Sequence, residues 1–326
     1  MPKIKVGNTF VEDMSIPTFF GKSDSTGKLC ELNPELTDNH IPQPYYKHPH
    51  GTIWLGDSLI WLETLAPNSV DLIFADPPYN IGKADWDHFE SHDEYIKWSI
   101  SWIKLAARAL KPNGSLFVCG FSEILADIRR PAAQFFCKCK WLVWFYKNKA
   151  NLSNDWGRSH ESILHFRKSK DSNFNVDDVR IPYGKHTLKY PEHPQAESSQ
   201  YCNGKRNQVI WQPHPNGAKP KDVFEIPVTC NGMKEKTPHP TQKPEELLRI
   251  LILSSSNEGD LVLDPFSGSG TTIVCAEQLK RKWYACEINS DYNSWAVMRL
   301  ETMPIRSIKE WMDMDKENAS RRESIR

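Results

Sequence analysis

The chain has 326 residues, 41 basic and 41 acidic side chains, 39% hydrophobic residues and 25% charged ones. That balance excludes a disordered or fibrous polymer and fits one large α/β domain or two smaller ones. No apolar run nears the roughly 20 residues that span a bilayer, and "MPKIKVGNTFVEDMS" lacks the apolar core of a secretory signal, so the cytoplasm and no membrane are expected.

Residues 1–50 are rich in Pro, Asn and Lys with little periodicity, and read as an N-terminal arm, free or packed on the body. From there strands and helices alternate. "TIWLGD" (52–57) and "SVDLIFAD" (69–76) are short apolar strands. Ser91 and Glu94 form an S-x-x-E capping box, and Ile96, Ile100, Ile103, Ala107 and Leu110 recur at helical steps, so Ser91 to Leu110 is a helix. "KPNG" (111–114) stops it; "SLFVCG" (115–120), "WLVWFY" (141–146) and "ESILHF" (161–166) follow as strands. Trp54, Trp61, Trp98 and Trp102 read as core or helix-packing residues.

Regularity then fails. Residues 168–236 hold many prolines and little pattern, as in an irregular insert. Order returns at Pro244, a good first helical residue, ahead of "EELLRILILSSS". The strand "LVLDPF" (261–266), a glycine-rich turn, the helix "TTIVCAEQLKR", the strand "KWYACEIN" (282–289) and a helix from near Asp291 complete the body. Residues 301–326 are a polar tail. Strands alternating with helices predict a mostly parallel sheet covered on both faces.

Eight cysteines are scattered without a CxxC pair, and the histidines near Cys202 and Cys230 match no standard ligand spacing, so neither a disulfide framework nor a metal site is expected. The zero net charge is unevenly spread. Residues 138–243 carry 18 Lys and Arg against 10 Asp and Glu, a net +8 that fits a phosphate-binding face or a solvated insert.

In "LDPFSGSGTT" (263–272), Gly268 and Gly270 let backbone N–H groups approach a ligand, and Thr271 is placed to cap the following helix. The next strand ends in Glu287, where a carboxylate can accept from ribose hydroxyls or simply end a surface strand. The turn lacks the G-x-G-x-x-G of NAD sites and the G-K-[ST] of a phosphate loop. A nucleoside without phosphates remains, and S-adenosylmethionine fits.

"DPPYN", "FSGSGTT" and "HPTQKP" together resemble the amino-methyltransferases of DNA, which move a methyl group from S-adenosylmethionine to an exocyclic amine of adenine or cytosine. The order, catalytic motif first and cofactor motif last, resembles their β-class, and "DPPYNIGKADWD" with the helix after it is similar to the RsrI-like adenine-N6 enzymes. The resemblance covers residues 52–167 and 237–295. It implies an α/β, circularly permuted S-adenosylmethionine-dependent methyltransferase fold. The implied parts are a catalytic half over 51–167, a target-recognition insert over 168–236 and a cofactor-binding half over 237–300. It also implies a restriction endonuclease of matching specificity, and often a homodimer, while a lone regulatory methyltransferase is equally compatible with these residues.

The chemistry explains the motif. An exocyclic amine is a poor nucleophile because its lone pair is delocalised into the ring. Asp76 can accept one of its N–H bonds and the carbonyl of Pro77 the other, stabilising the positive charge that nitrogen develops. Pro78 stiffens the loop, and Tyr79 offers a ring on which a base can stack. A plain strand-end turn would need neither the acid nor the ring. The target lies inside a duplex, and base flipping is expected of methyltransferases as a class. The resemblance places Asp57 at the cofactor's adenosine end, although a turn acid is an alternative, and Thr241 and Lys243 near its methionine end. Asp264 and Phe266, at the glycine turn, are further cofactor-binding candidates. Arg158, Arg180, Lys185, Lys205 and Arg206 are candidates for phosphates or guanine edges of double-stranded DNA. The rival expectations are a cytosine-N4 enzyme, an RNA or small-amine methylase, and a non-catalytic nucleic-acid-binding module.

Overall fold

The computed structural model describes residues 41–82, 87–147, 156–194 and 210–324. The arm through residue 40, and Lys205 and Arg206, lie outside the described residues. The elements run β1 (Gln43–His48), β2 (Gly51–Leu55), α1 (Ser58–Thr64), β3 (Val70–Ala75), α2 (His92–Ala109), β4 (Leu110–Gly120), α3 (Ser122–Ala132), β5 (Lys138–Phe145) and β6 (His160–Arg167). Then come α4 (Lys185–Lys189), β7 (His193–Pro194), β8 (Ile210–Trp211), β9 (Val223–Glu225), α5 (Glu245–Ser255), β10 (Leu261–Asp264), α6 (Thr271–Gln278), β11 (Lys282–Glu287), α7 (Ser290–Thr302) and α8 (Ile308–Ser324).

Nine strands form one sheet in the order β1-β2-β11-β10-β3-β4-β6-β5-β9. The run from β2 to β4 is parallel, β1 and β6 are antiparallel to their neighbours, and β9 adds parallel to β5. β3 is buried along its whole length, as a central parallel strand flanked by helices must be. Its one carboxylate, Asp71, accepts the Lys111 ammonium at 2.8 Å and the Leu261 N–H at 2.9 Å, fastening the starts of β3, β4 and β10 together. One face packs Trp61, Trp102, Ile103, Ala106 and Leu125 from α1, α2 and α3 on Val70, Ile73 and Leu116. The other packs Leu247, Leu251, Ile273, Ala276 and Ala296 from α5, α6 and α7 on Leu72, Phe74 and Val262.

Four expectations shift. "KPNG" does not separate helix from strand, because β4 begins at Leu110 and the irregular pairing between Val70 and Leu72 absorbs those residues. Pro244 caps α5 from an extended conformation instead of opening it. The arm's last residues, 43–48, pair with β2 as β1. The polar tail contains α8, whose Trp311 is buried and whose Asp315 takes a two-pronged pair from Arg249, at 2.7 and 2.8 Å. Its polarity hid it, since only a narrow stripe meets the body.

Candidate active site

Asp-Pro ends two neighbouring parallel strands. β3 runs into Asp76-Pro77 and β10 into Asp264-Pro265, and the strands pair through Leu72–Val262 and Ile73–Leu263. The two turns therefore open side by side at the sheet's C-terminal edge, the edge where α/β folds bind ligands. A cavity of about 290 Å³ lies there, lined by Asp57, Asp76, Pro77, Pro78, Tyr79, Thr241, Lys243, Asp264, Phe266, Gly268, Thr271 and Glu287 among others.

The β3 turn is held from outside. The Tyr95 hydroxyl of α2 donates to the Pro78 carbonyl at 2.7 Å. Asn80, at φ +56°, and Ile81 donate their N–H groups to Asp87 at 2.6 and 3.2 Å. Asp76 sits in a tight network. Its Oδ1 accepts the Tyr79 hydroxyl at 2.6 Å, and its Oδ2 accepts the Lys243 ammonium at 2.7 Å. Lys243 also pairs with Glu161 at 3.3 Å, and Tyr79 reaches Glu161 at 3.1 Å. Burial, reinforced by Asp76 and Glu161, pushes the Tyr79 hydroxyl well above its ordinary value, so it remains a donor. Burial works against the Lys243 charge, but Asp76 and Glu161 outweigh it and hold the ammonium above its usual value. The Tyr79 ring meets Phe121 edge-on at 5.0 Å, and Lys243 Nζ lies 5.4 Å from its centroid.

The β10 turn is held from within. Asp264 accepts Phe266 N–H at 2.9 Å and the Thr272 hydroxyl at 2.5 Å, and burial lifts its carboxyl to about 7. Gly268 and Gly270 take φ +51° and +77°, in the left-handed region. The Gly268 N–H donates to Glu287 Oε2 at 2.7 Å, while Oε1 accepts Asn289 N–H at 2.9 Å. A side chain at Gly268 would come within 2.9 Å of His239 Nε2. Burial, then Lys243, lowers His239 to about 4, so its ring is neutral. Phe266 is backed by Trp98 and Trp102 at 5.6 and 5.3 Å.

Several expected residues prove different in detail. Asp57 lines the cavity and also caps α1 through Leu59 and Ile60 N–H at 2.8 and 3.1 Å, the turn-acid alternative. Thr271 is not the cap of α6. Gly270 occupies that position, and the Thr271 hydroxyl instead reaches the Lys243 carbonyl at 3.2 Å and accepts from Arg299 at 2.9 Å. Lys243 reaches the acid of the β3 turn. Thr241 lines the cavity, its N–H directed at His239 Nδ1 at 3.3 Å. Arg180 is only 8% exposed and is spent on Asp177 at 2.7 Å and the Gly217 carbonyl at 3.0 Å, so it braces the insert and is not presented to a phosphate. Arg158 lies 3.8 Å above the Phe121 ring and pairs with Glu123 at 2.6 Å, close to the Tyr79 corner. Lys185 is exposed at the start of α4.

Sequence reasoning missed Glu161, His239 and Trp98. Glu161 stands next to Ser162, which pairs with Gly120 at the end of β4, so an antiparallel strand delivers it to the same edge. Only that reversal of direction, invisible in "ESILHF", could have found it. His239 belongs to "HPTQKP" itself, and Trp98 looked like core because it also packs.

The matching family model, N6_N4_Mtase, described as DNA methylase, covers residues 70–298. The chain belongs to the N6/N4 DNA methylase family. The methylase is 34% identical over 253 residues to the Type II methyltransferase M1.MboII of Moraxella bovis, spanning 75% of this chain and 94% of that one. It is 35% identical over 263 residues to the DNA adenine methyltransferase YhdJ of Escherichia coli (strain K12), spanning 79% and 85%. Among solved structures, the cytosine-N4-specific PvuII DNA methyltransferase superposes with TM-score 0.61 at 20% identity, covering 85% of the methylase and 94% of that chain. The M1.HpyAVI–SAM complex gives 0.52 at 23%, covering 77% and 98%. Those likenesses establish the fold: α/β, with the DPPY strand ahead of the glycine-turn strand in the chain and beside it in the sheet. Among the described residues, no helix is long and apolar enough to cross a membrane.

Proposed function

We propose that the methylase transfers a methyl group from S-adenosylmethionine to the N6 amine of adenine within a short site of duplex DNA. The observation that carries this reading is the shared cavity, which joins the Asp76 corner to the glycine turn. Its charge speaks for the donor. Among the described residues six acidic side chains line it (Asp57, Asp76, Asp87, Glu161, Asp264 and Glu287), burial favouring the protonated form of Asp264 and Glu287, and the one lysine, Lys243, is already paired. Such a wall suits a cation and offers nothing to neutralise a polyphosphate. Ser267 Oγ, buried in the same wall, finds no hydrogen-bond partner among the described residues and is available to a polar ligand. Glu287 retains a lone pair on each oxygen for hydroxyls, and Phe266 offers an apolar face. The bound donor supplies an electrophilic methyl on a sulfonium.

Asp76 keeps one lone pair on each oxygen after accepting Tyr79 and Lys243, so it can take an N–H of the target amine without releasing either. Asp76, Glu161 and Lys243 together carry one net negative charge. Fixed in place by Tyr79 and largely dry, that charge favours the positive charge that develops on the amine nitrogen. Tyr79, Phe121 and the Arg158 stack form a wall for the extruded base. Adenine is favoured over cytosine by DPPY and by the likeness to YhdJ. The likeness to a Type II methyltransferase supports a restriction endonuclease partner of matching specificity. A homodimer rests on the family resemblance alone.

Incubation with tritiated S-adenosylmethionine and duplex DNA, RNA or small amines tests the substrate class. Label in DNA as N6-methyladenine is expected, N4-methylcytosine would replace the base assignment, and no label in any substrate would leave a binding module. Exchanging residues 168–236 with a relative's is expected to change the methylated site, and an unchanged site would place recognition elsewhere.

A further inference from the structure

A second constellation lies at the opposite edge of the sheet, where β2 and β11 begin. His48 and His50 flank the tight connection from β1 to β2, and Glu277 comes from the last turn of α6. One ligand atom from each, a ring nitrogen of either histidine and a carboxylate oxygen, lies within 4.8 Å of the other two. His50 Nδ1 is 2.7 Å from Glu277 Oε1, and His48 Nδ1 is 3.6 Å from Oε2. Tetrahedral bonds of about 2.1 Å place neighbouring donors roughly 3.4 Å apart, and those two separations bracket that value.

The donors are held by surrounding structure. Trp283 Nε1–H donates to Glu277 Oε2 at 2.8 Å, and the His48 ring stacks on the Trp283 indole at 5.6 Å between centroids. The Trp283 N–H binds the His50 carbonyl at 3.0 Å. A Cβ at Gly51 would fall within 2.2 Å of Trp283, so the hairpin lies directly on β11. Supporting contacts of this kind orient metal ligands. His48 Nδ1 accepts the His50 N–H at 3.3 Å, which leaves that nitrogen unprotonated, and its lone pair must exchange this long bond for a metal.

We propose that His48, His50 and Glu277 form a zinc site that clamps β1 to α6. Two imidazoles and a carboxylate without sulfur suit Zn²⁺, with water completing the shell. On binding, the proton between His50 Nδ1 and Glu277 leaves for His50 Nε2 or solvent, His48 Nδ1 releases the His50 N–H to solvent, and three protein–metal bonds replace those two hydrogen bonds. The site is remote from the cavity and separate from methyl transfer. Sequence spacing could not reveal it, because Glu277 lies 227 residues from His50.

The full chain, stripped by chelation, should be titrated with Zn²⁺ by calorimetry and its metal counted by mass spectrometry. One equivalent per chain is expected, with a melting temperature raised by a few degrees. His50→Ala and Glu277→Gln should weaken binding at least tenfold and abolish the thermal shift, while methyl transfer stays within twofold. Cobalt substitution should show ligand-field bands without sulfur charge transfer. Zinc bound equally well by His50→Ala, a thiolate band from exposed Cys137 or Cys230, or no stoichiometric binding would each overturn the proposal.

Discussion

Two Asp-Pro turns leave adjacent strands at one edge of the sheet, yet their acids are used in opposite ways. Asp264 spends its oxygens on its own turn, on Phe266 N–H and the Thr272 hydroxyl. Asp76 accepts no backbone amide of its turn; one oxygen takes the Tyr79 hydroxyl three residues on, and the other is met by Lys243 from 167 residues away. Proline withholds N–H groups from the β3 turn, so its acid takes side-chain partners in place of amides. Glycine gives the β10 turn enough freedom to fold its own amides back. The same dipeptide therefore makes an acid available to a substrate in one strand and a rigid cradle in the next.

Removing the outward acid should have the largest effect. Asp76→Ala is expected to lower kcat by 10²–10³-fold or more while leaving donor affinity nearly intact, as charge-stabilising groups do. Lost affinity with normal turnover, measured by calorimetry beside single-turnover assays, would reverse the assignment. Lys243→Met breaks a buried pair and leaves Asp76 and Glu161 facing each other without a cation, so a stability loss of ~3–5 kcal/mol is expected by denaturant unfolding. Adding Glu161→Gln should restore part of it.

On the inward side, Gly268→Ala forces a side chain into the left-handed region and toward His239, at an expected cost of ~1–2 kcal/mol. Donor affinity should fall with it, while kcat at saturation should change less. The smallest effect concerns pH. Asp264 titrates near 7 in the fold against 3.8 when unfolded, so the native state keeps a proton that the unfolded chain has lost. Its contribution is complete below pH 4 and is lost as pH rises toward 7. His239, lowered from 6.5 to about 4, acts the other way and loses stability as pH falls through that window. Asp264→Asn should therefore make the melting temperature fall less steeply between pH 5 and 7.

The sequence revealed the parts whose meaning is local. Strand ends, the Ser91 cap and both turns follow from apolar runs and from Pro or Gly, and Ser91 indeed accepts the Glu94 N–H at 3.2 Å. It was silent where partners come from afar. Glu161 reaches the site through an antiparallel strand, Lys243 through a coil ahead of α5, and Arg180 turns inward because Asp177 and Gly217 surround it. A charge count over an insert reports none of those directions.

The position of β10 between β3 and β11 has a consequence for synthesis on the ribosome. Until residues 261–287 have emerged, β2 and β3 lack the strands that belong between them, and β3 keeps an open margin that is apolar but for Asp71. An interrupted chain would expose that margin to other nascent chains and to chaperones. The centre of this sheet is completed after its flanks, by strands made later than the other described strands.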